Sequence, residues 1–88
     1  MKKEKRQITI YNNRYQQAKK DGAKKIKLFR LFHLISEQEL AKKFGVCQQA
    51  VSQWESKYCP SQKYIKMYVQ EAAKRKYKLS ADDIINDY

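Results

Sequence analysis

The sequence predicts an all-α protein, a compact bundle of about five helices with a basic N-terminal extension. Apolar residues recur every three or four positions in most segments after residue 23, which is the period of an amphipathic helix. Serine residues that can cap a helix precede two of these segments. The 88 residues are 42% hydrophobic, which suffices for one modest core. We therefore expect an extension over residues 1–23, partly helical or disordered, and one helical domain over residues 24–88.

The extension begins with a short alternating segment. Ile8-Thr9-Ile10 has the period of a strand, but no partner strand is evident, so a disordered arm and an edge strand used in dimerisation both stay open. Asn12 or Asn13 can cap a helix that runs to about Lys20, where an Asp-Gly pair is a stop signal. It is also open whether this helix is separate from the next one.

The second helix is expected from Lys24 to about Ile35. One side of it should be apolar and face the core, while the basic residues lie largely elsewhere. The expected apolar side consists of Leu28, Leu31, Phe32 and Ile35, and the basic residues are Lys24, Lys27 and Arg30.

The third helix is predicted to begin at about Glu37. Ser36 can cap it, and Glu39 three residues later completes the Ser-x-x-Glu capping box. Its inward stripe is Leu40, Ala41 and Phe44. Gly45 should end the helix in a tight turn, because glycine takes a positive φ without steric cost.

A fourth helix should start at Cys47 or Gln48 and run to about Ser56, with Val51 and Trp54 facing inward and the polar residues exposed. That length is roughly what a helix needs to cross a major groove. A helix, a short turn that contains glycine and a second helix form a helix-turn-helix motif. The alternative is a pair of packed amphipathic helices that never meet DNA.

Two helices should close the domain after a loop over residues 56–61. Gln62 to about Arg75 has apolar residues at helical spacing, namely Ile65, Tyr68, Val69 and Ala72. A short final helix is predicted from its Ser80 cap, which is followed three residues later by Asp83. Ile84, Ile85 or Tyr88 either close the core or reach a second subunit.

The charge of the chain predicts a polyanionic partner. Its net charge is +11. Residues 1–30 hold 11 basic and 2 acidic side chains and so carry +9, whereas residues 31–88 hold 9 basic and 7 acidic side chains and carry +2. We expect the N-terminal third to supply most of the attraction to phosphate. Its first basic side chains, which would form an arm, are Lys2, Lys3, Lys5 and Arg6.

Several function classes are not expected. The sequence has neither an apolar run long enough for a membrane span nor the pattern of a signal peptide, so we expect a cytoplasmic protein. Cys47 and Cys59 are then expected to be reduced thiols. Cys47 is either a redox-sensitive thiol or a small residue tolerated at a helix cap. With His33 as the single histidine, we expect neither a metal site nor catalysis, and no cofactor.

The segment from Glu37 to Ser56 resembles the helix-turn-helix of the lambdoid-phage repressor and Cro family. The matching residues are Glu39, Leu40, Ala41, Lys42, Lys43, Gly45, Gln48, Gln49, Val51, Gln53, Trp54 and Glu55. Position 37 is often neutral and polar in this family and here is Glu. Position 47 is often Ser or Thr and here is Cys, a poor N-cap.

The resemblance implies a function and a set of DNA contacts. In the family, the second helix of the motif lies in the major groove and reads base edges. Gln48, Gln49 and Gln53 would be the readers here, since glutamine can both donate to and accept from adenine. The implied phosphate contacts are Cys47, Ser52, Ser56, Lys57 and Lys63.

The function expected on this basis is that of a transcriptional regulator, a repressor that binds a palindromic double-stranded operator as a homodimer. Because no effector domain is evident, activity would be controlled by concentration, by a partner protein or by Cys47. The main alternative is a protein-interaction module, such as an antitoxin or anti-repressor. The long extension before the resemblance supports that alternative.

Overall fold

Helix α1, over residues 13–20, contacts the rest of the described chain through Ala18 and the ring of Tyr15. The computed structural model describes residues 13–88, and the predictions for Ile8-Thr9-Ile10 and for Lys2, Lys3, Lys5 and Arg6 lie outside them. Ala18 is buried, and the ring of Tyr15 meets that of Phe32 edge to face with 5.7 Å between centroids. The helix ends at the predicted Asp-Gly pair, where Gly22 has a φ of +72°, and is separate from the next helix.

Five helices follow α1, and residues 13–88 contain no strand. The prediction of an all-α bundle of about five helices is confirmed, with α1 as the additional one. The five are α2 (Lys25–Phe32), α3 (Glu37–Phe44), α4 (Gln48–Ser56), α5 (Gln62–Lys74) and α6 (Ala81–Ile85).

The buried side of α2 differs from the predicted one. Leu31 is buried as expected, but Ile26 and Phe29 take the centre of the core, while Phe32 is 54% exposed and Leu28 is only partly buried. Apolar side chains cover more than half of the circumference of this helix, so its sequence alone does not determine which side faces the core. Contacts with other helices, α6 among them, accompany the burial of Ile26 and Phe29.

The end of α2 is also earlier than predicted. Leu34 takes a φ of +59°, which stops the helix at Phe32 although Ile35 was the expected end. The Leu34 N–H donates to the Leu31 carbonyl at 3.2 Å, and the Ile35 N–H donates to the Arg30 carbonyl at 3.1 Å. These two bonds form a Schellman motif, which usually has glycine at the left-handed position.

The turn between α3 and α4 forms as predicted. The Ser36 hydroxyl accepts from the Glu39 N–H at 3.1 Å and caps α3. The Glu39 carboxylate accepts from that hydroxyl at 3.2 Å, so only half of the predicted capping box is present. Gly45 has a φ of +69° and a ψ of +34°, in the left-handed region. Cys47 is the N-cap of α4, and its side chain makes no capping hydrogen bond.

The core is one cluster to which α2, α3, α4, α5 and α6 all contribute buried residues. Tyr68 of α5 is fully buried in it, with its ring centroid 4.9 Å from that of Phe44 and 6.1 Å from that of Trp54. Ile65 and Ala72 of α5 are buried as predicted, and Val69 is partly buried.

The C-terminal segment closes the core and connects α2 with α4. Ile84 is fully buried, whereas Ile85 is 47% exposed. The Asp87 carboxylate accepts from the Lys25 N–H at 2.5 Å and so supplies an acceptor at the start of α2. The Tyr88 hydroxyl donates to the Trp54 carbonyl near the end of α4. Three residues were expected either to close the core or to reach a second subunit. Of these, Ile84 is buried in the core, and Tyr88 makes a hydrogen bond to Trp54 of the same chain.

Candidate nucleic-acid interface

The outer face of α4 is polar, exposed and uncharged. Its side chains form two rows with one turn between neighbours, Gln48, Ser52 and Ser56 in one row and Gln49 and Gln53 in the other, and every one of them can donate and accept hydrogen bonds. The helix has nine residues, hence a length of about 13 Å, close to the ~12 Å width of the major groove of B-DNA. The exposed residues are Gln48, Gln49, Ser52, Gln53 and Ser56.

The inner face of α4 is apolar and fixes the helix on α3. Val51 is fully buried and Trp54 is 9% exposed. Ala41, also buried, lies on the facing side of α3, where its small side chain permits the two helices to approach closely. The outer face is therefore presented by a packed element rather than by a loop.

A buried ion pair also anchors α4, and the sequence did not indicate it. The Glu55 carboxylate accepts from Arg30 Nε at 2.6 Å and from Arg30 Nη2 at 3.0 Å. Arg30 Nη1 donates to the Ile35 carbonyl at 2.9 Å, so the guanidinium joins α2, the loop after it and α4. Burial raises the pKa of the Glu55 carboxyl, and the guanidinium opposes that shift. The expectation that Arg30 lies away from the core is wrong.

Two features explain why sequence reasoning missed this pair. Arg30 and Glu55 are 25 residues apart, so no helical spacing relates them. A charged residue on an amphipathic helix is usually exposed unless it has a buried partner. Arg30 lies one turn after Ile26, on the side that the structure buries, but the sequence of α2 alone did not identify that side.

Glu37 determines how the amide of Gln48 is oriented. Gln48 Nε2 donates to Glu37 Oε1 at 3.3 Å. An ionised carboxylate can only accept, so the Gln48 amide must present its NH₂ group to Glu37 and its carbonyl oxygen to the other side. The acidic residue at position 37, where the resembled family often has a neutral one, therefore acts on the first predicted reader.

Gln48 lies between two clefts, each of which contains a basic side chain. Arg14 of α1 and the buried Arg30 of α2 line the first cleft together with Glu37 and Gln48. Lys42 of α3 lines the second, also with Gln48. All three basic residues belong to elements outside α4, which has no basic residue of its own.

The residues predicted to contact phosphate are all exposed. The Ser56 hydroxyl donates its hydrogen to the Ser52 carbonyl at 3.0 Å, so it would have to rotate before it could donate to a phosphate. Lys57 follows the end of α4, and Lys63 lies in the first turn of α5. Cys47 and Cys59 are exposed free thiols. The five positions predicted to contact phosphate are Cys47, Ser52, Ser56, Lys57 and Lys63.

Residues 13–88 hold no group of three His, Cys, Asp or Glu side chains arranged for a metal ion. None of the helices in this part of the chain is both long enough and apolar enough to cross a membrane.

No protein-family model matches the chain, and no curated protein or solved structure matches it significantly. Function is therefore inferred from the geometry around α4 and from the net charge of the chain.

Proposed function

We propose that this protein is a sequence-specific double-stranded DNA-binding transcriptional regulator, a repressor that occupies a palindromic operator as a homodimer. The observation that carries the proposal is the exposed amide face of α4, which the left-handed turn at Gly45 sets on α3. A helix-turn-helix presents its second helix in this manner.

The side chains on that face suit direct reading of bases. Gln48, Gln49 and Gln53 each carry one acceptor and two donor hydrogens, and a glutamine can pair with both the N6 and N7 groups of adenine. A single helix of this size reads only a few base pairs. Two copies related by a two-fold axis would give useful specificity, which is the reason for proposing a homodimer.

Attraction to the duplex comes from other parts of the chain. The net charge of +11 favours a polyanion, and Lys57 and Lys63 lie beyond the C-terminal end of the reading face. This division between base-reading amides and phosphate-binding cations is general in DNA-binding proteins. The proposal assigns the protein to the bacterial cytoplasm at the nucleoid, without a cofactor and without enzymatic activity.

A protein-interaction module, such as an antitoxin or anti-repressor, is the second candidate. The observation that favours it is exposed apolar surface at the end of α2, where Phe32 is 54% and Leu34 is 43% exposed. Exposed apolar surface of this kind is typical of protein contacts when it forms a continuous patch.

Selection from a random pool of duplexes tests the proposal. The full chain is immobilised, bound duplexes are recovered over several rounds, and the enriched sequences are compared. A short palindrome is expected, since two copies of α4 would read equivalent half-sites about one helical turn apart. If duplexes are retained without any common sequence, or not at all, the proposed function is wrong.

A further inference from the structure

A cluster of aromatic rings reaches the surface where α1 meets the end of α2. The centroid of the Phe32 ring lies 5.7 Å from that of Tyr15 and 5.3 Å from that of Tyr77. The His33 ring lies 5.0 Å from Phe32 and 5.3 Å from Tyr77. Phe32 is more than half exposed, and the other three side chains are partly buried. We call these four residues the aromatic cluster.

The core does not account for the position of Phe32. Phe29 is fully buried and already packs against His33 and Tyr77, at 5.0 and 5.3 Å between centroids. Phe32 extends the same set of rings from the core to the surface. A continuous exposed apolar surface of this kind is typical of contact with another protein.

The surroundings of the aromatic cluster are basic. Lys19 Nζ lies 5.3 Å from the Tyr15 ring centroid. Residues 75–78 are Arg-Lys-Tyr-Lys, so basic residues flank Tyr77 in the chain, and Lys76 and Lys78 are exposed. We call this set the basic rim, which consists of Lys19, Arg75, Lys76 and Lys78.

Neither His33 nor Glu71 offsets the charge of the basic rim. Burial and the Arg75 guanidinium lower the pKa of the His33 imidazole, against the effect of Glu71, so His33 is neutral at neutral pH. The Glu71 carboxylate accepts from Lys43 Nζ at 3.0 Å and lies 3.8 Å from Arg75 Nε. Glu71 is therefore already paired within the chain, and a partner at the aromatic cluster meets net positive charge.

This charge favours an acidic occupant over two others. In a two-fold contact between copies of the chain, the basic rim of one copy would face that of the other, and like charges across an interface are costly. Residues 1–12 hold four basic side chains and one acidic one, so this segment also has the sign of the rim. An acidic protein complements both the charge and the apolar surface.

Single-stranded nucleic acid would match the charge, but the ring geometry does not suit it. Bases stack on the open faces of aromatic rings. Here Tyr15 and His33 meet Phe32 at steep interplanar angles of 65° and 78°, and Lys19 lies over the Tyr15 ring. Such an irregular apolar surface accommodates an aliphatic or aromatic side chain better than a row of stacked bases.

We propose that the aromatic cluster binds a partner protein through an acidic segment that carries a large apolar side chain. The apolar side chain packs on Phe32, and the carboxylates beside it pair with the basic rim. The inference goes beyond the proposed function and does not depend on duplex binding. None of the predicted base-reading or phosphate-contacting residues belongs to the aromatic cluster or to the basic rim.

Selection from a displayed library of short random peptides tests the proposal. The full chain and its Phe32→Ser variant are immobilised separately, and the two enriched pools are compared. One peptide enriched on wild type alone is then synthesised with a fluorophore, and its Kd is measured by anisotropy for wild type and four variants.

Each of the two test variants has a matched control. Phe32→Ser alters the aromatic cluster, and Tyr58→Ser is its control, because both rings are 54% exposed and Lys57 Nζ lies 5.5 Å from the Tyr58 ring centroid. Lys19→Glu alters the basic rim. Lys20→Glu is its control, since it makes the same charge change at the next exposed position of α1, about 100° around the helix.

Peptides in which Asp or Glu flank a large apolar residue are expected from wild type and not from Phe32→Ser. Their Kd should rise about tenfold for Phe32→Ser and roughly threefold for Lys19→Glu, but less than about twofold for Tyr58→Ser and Lys20→Glu. Circular dichroism verifies that each variant is folded. Identical pools, pools without acidic peptides, or equal Kd values for Phe32→Ser and Tyr58→Ser would overturn the proposal.

Three further results would overturn it in favour of another occupant. A dimer detected by sedimentation equilibrium that only Phe32→Ser abolishes would assign the aromatic cluster to a second copy. Competition by a synthetic peptide of residues 1–12 would assign it to the chain itself. Binding of a mixed-sequence single-stranded RNA that only Phe32→Ser abolishes would assign it to nucleic acid. Duplex selection is scored separately, so the proposed function can fail while this inference stands, and the reverse.

Discussion

The Arg30 guanidinium and the Glu55 carboxylate meet through two hydrogen bonds, of 2.6 and 3.0 Å, between α2 and α4. Both side chains are almost entirely buried. Arg30→Met leaves the Glu55 carboxylate buried without its partner and is expected to lower the free energy of unfolding by about 3–5 kcal/mol. Urea denaturation at neutral pH measures this loss.

Two further variants make that prediction specific. Lys43→Met breaks the exposed pair between Lys43 and Glu71 and should cost at most about 1 kcal/mol. Arg30→Met combined with Glu55→Leu removes both charges and should recover much of the lost stability. A cost for Arg30→Met no larger than that for Lys43→Met would mean that the buried pair contributes no more than a surface pair.

The predicted readers should affect sequence preference rather than general affinity. Gln48→Ala and Gln49→Ala are each expected to cost roughly 1–3 kcal/mol on the preferred site and to relax the choice of base, with the salt slope unchanged. Gln70→Ala, which removes an exposed amide from α5, is the control and should change neither quantity. Competition between the selected duplex and its single-base variants measures the preference. Equal losses on the selected and the random duplex would refute the assignment of these residues as readers.

Glu37 should restrict which bases Gln48 accepts. Glu37→Gln removes a negative charge near the duplex and permits either orientation of the Gln48 amide, since glutamine both donates and accepts. We expect tighter binding to random duplex and weaker discrimination at the base that Gln48 reads. Glu39→Gln makes the same charge change on the same helix, where the carboxylate accepts from Ser36, and should raise affinity without altering base preference. Identical base preferences for the two variants would show that Glu37 acts only through its charge.

The Tyr88 hydroxyl should stabilise the fold through the end of α4. Tyr88→Phe leaves the ring in place but removes the donor to the Trp54 carbonyl, and we expect a loss of about 1 kcal/mol in the free energy of unfolding. Tyr58→Phe is the matched control, because Tyr58 is 54% exposed. Urea denaturation of both variants and of wild type gives the comparison. If the two variants are equally stable, the hydroxyl of Tyr88 does not hold α4.

Stability should fall in acid partly because of Glu71. The hydrogen bond from Lys43 Nζ, at 3.0 Å, holds the pKa of the Glu71 carboxyl below its ordinary value. A carboxyl whose pKa is lower in the folded state adds stability above its unfolded pKa of about 4.3, and this contribution is lost as the pH falls toward the folded pKa. Glu71→Gln should therefore lose stability at neutral pH and show a flatter dependence below about pH 5. Urea denaturation from pH 3 to pH 7 measures both, and an unchanged acid slope would contradict the prediction.

Local sequence signals were sufficient for most of the helix boundaries. Ser36 and Ser80 mark the starts of α3 and α6, since each hydroxyl accepts a backbone N–H of the first turn. Gly45 marks the end of α3 because the left-handed conformation there favours glycine. These signals involve residues within a few positions of one another, and such short-range chemistry can be recognised in a sequence.

The parts that failed depend on contacts between distant segments. Leu34 ends α2 in a conformation that leucine seldom adopts, and nothing in its neighbours marks it. Phe29 is buried and meets the Tyr77 ring, 48 residues away in the chain, at 5.3 Å between centroids, whereas Phe32 is 54% exposed. At the candidate site the exposed amides were predicted, whereas the positions of Arg14 and Glu37 beside Gln48 required the assembled bundle.

The absence of any basic residue from α4 has a consequence for how such a protein can diverge. Under the proposed function, cations outside α4, Lys57 and Lys63 among them, attract the duplex, while the amides that choose bases lie on α4. Substitutions at Gln48, Gln49 or Gln53 can therefore change which sequence the protein prefers without removing its general affinity for DNA. New targets become accessible through single changes, each of which leaves a protein that still binds.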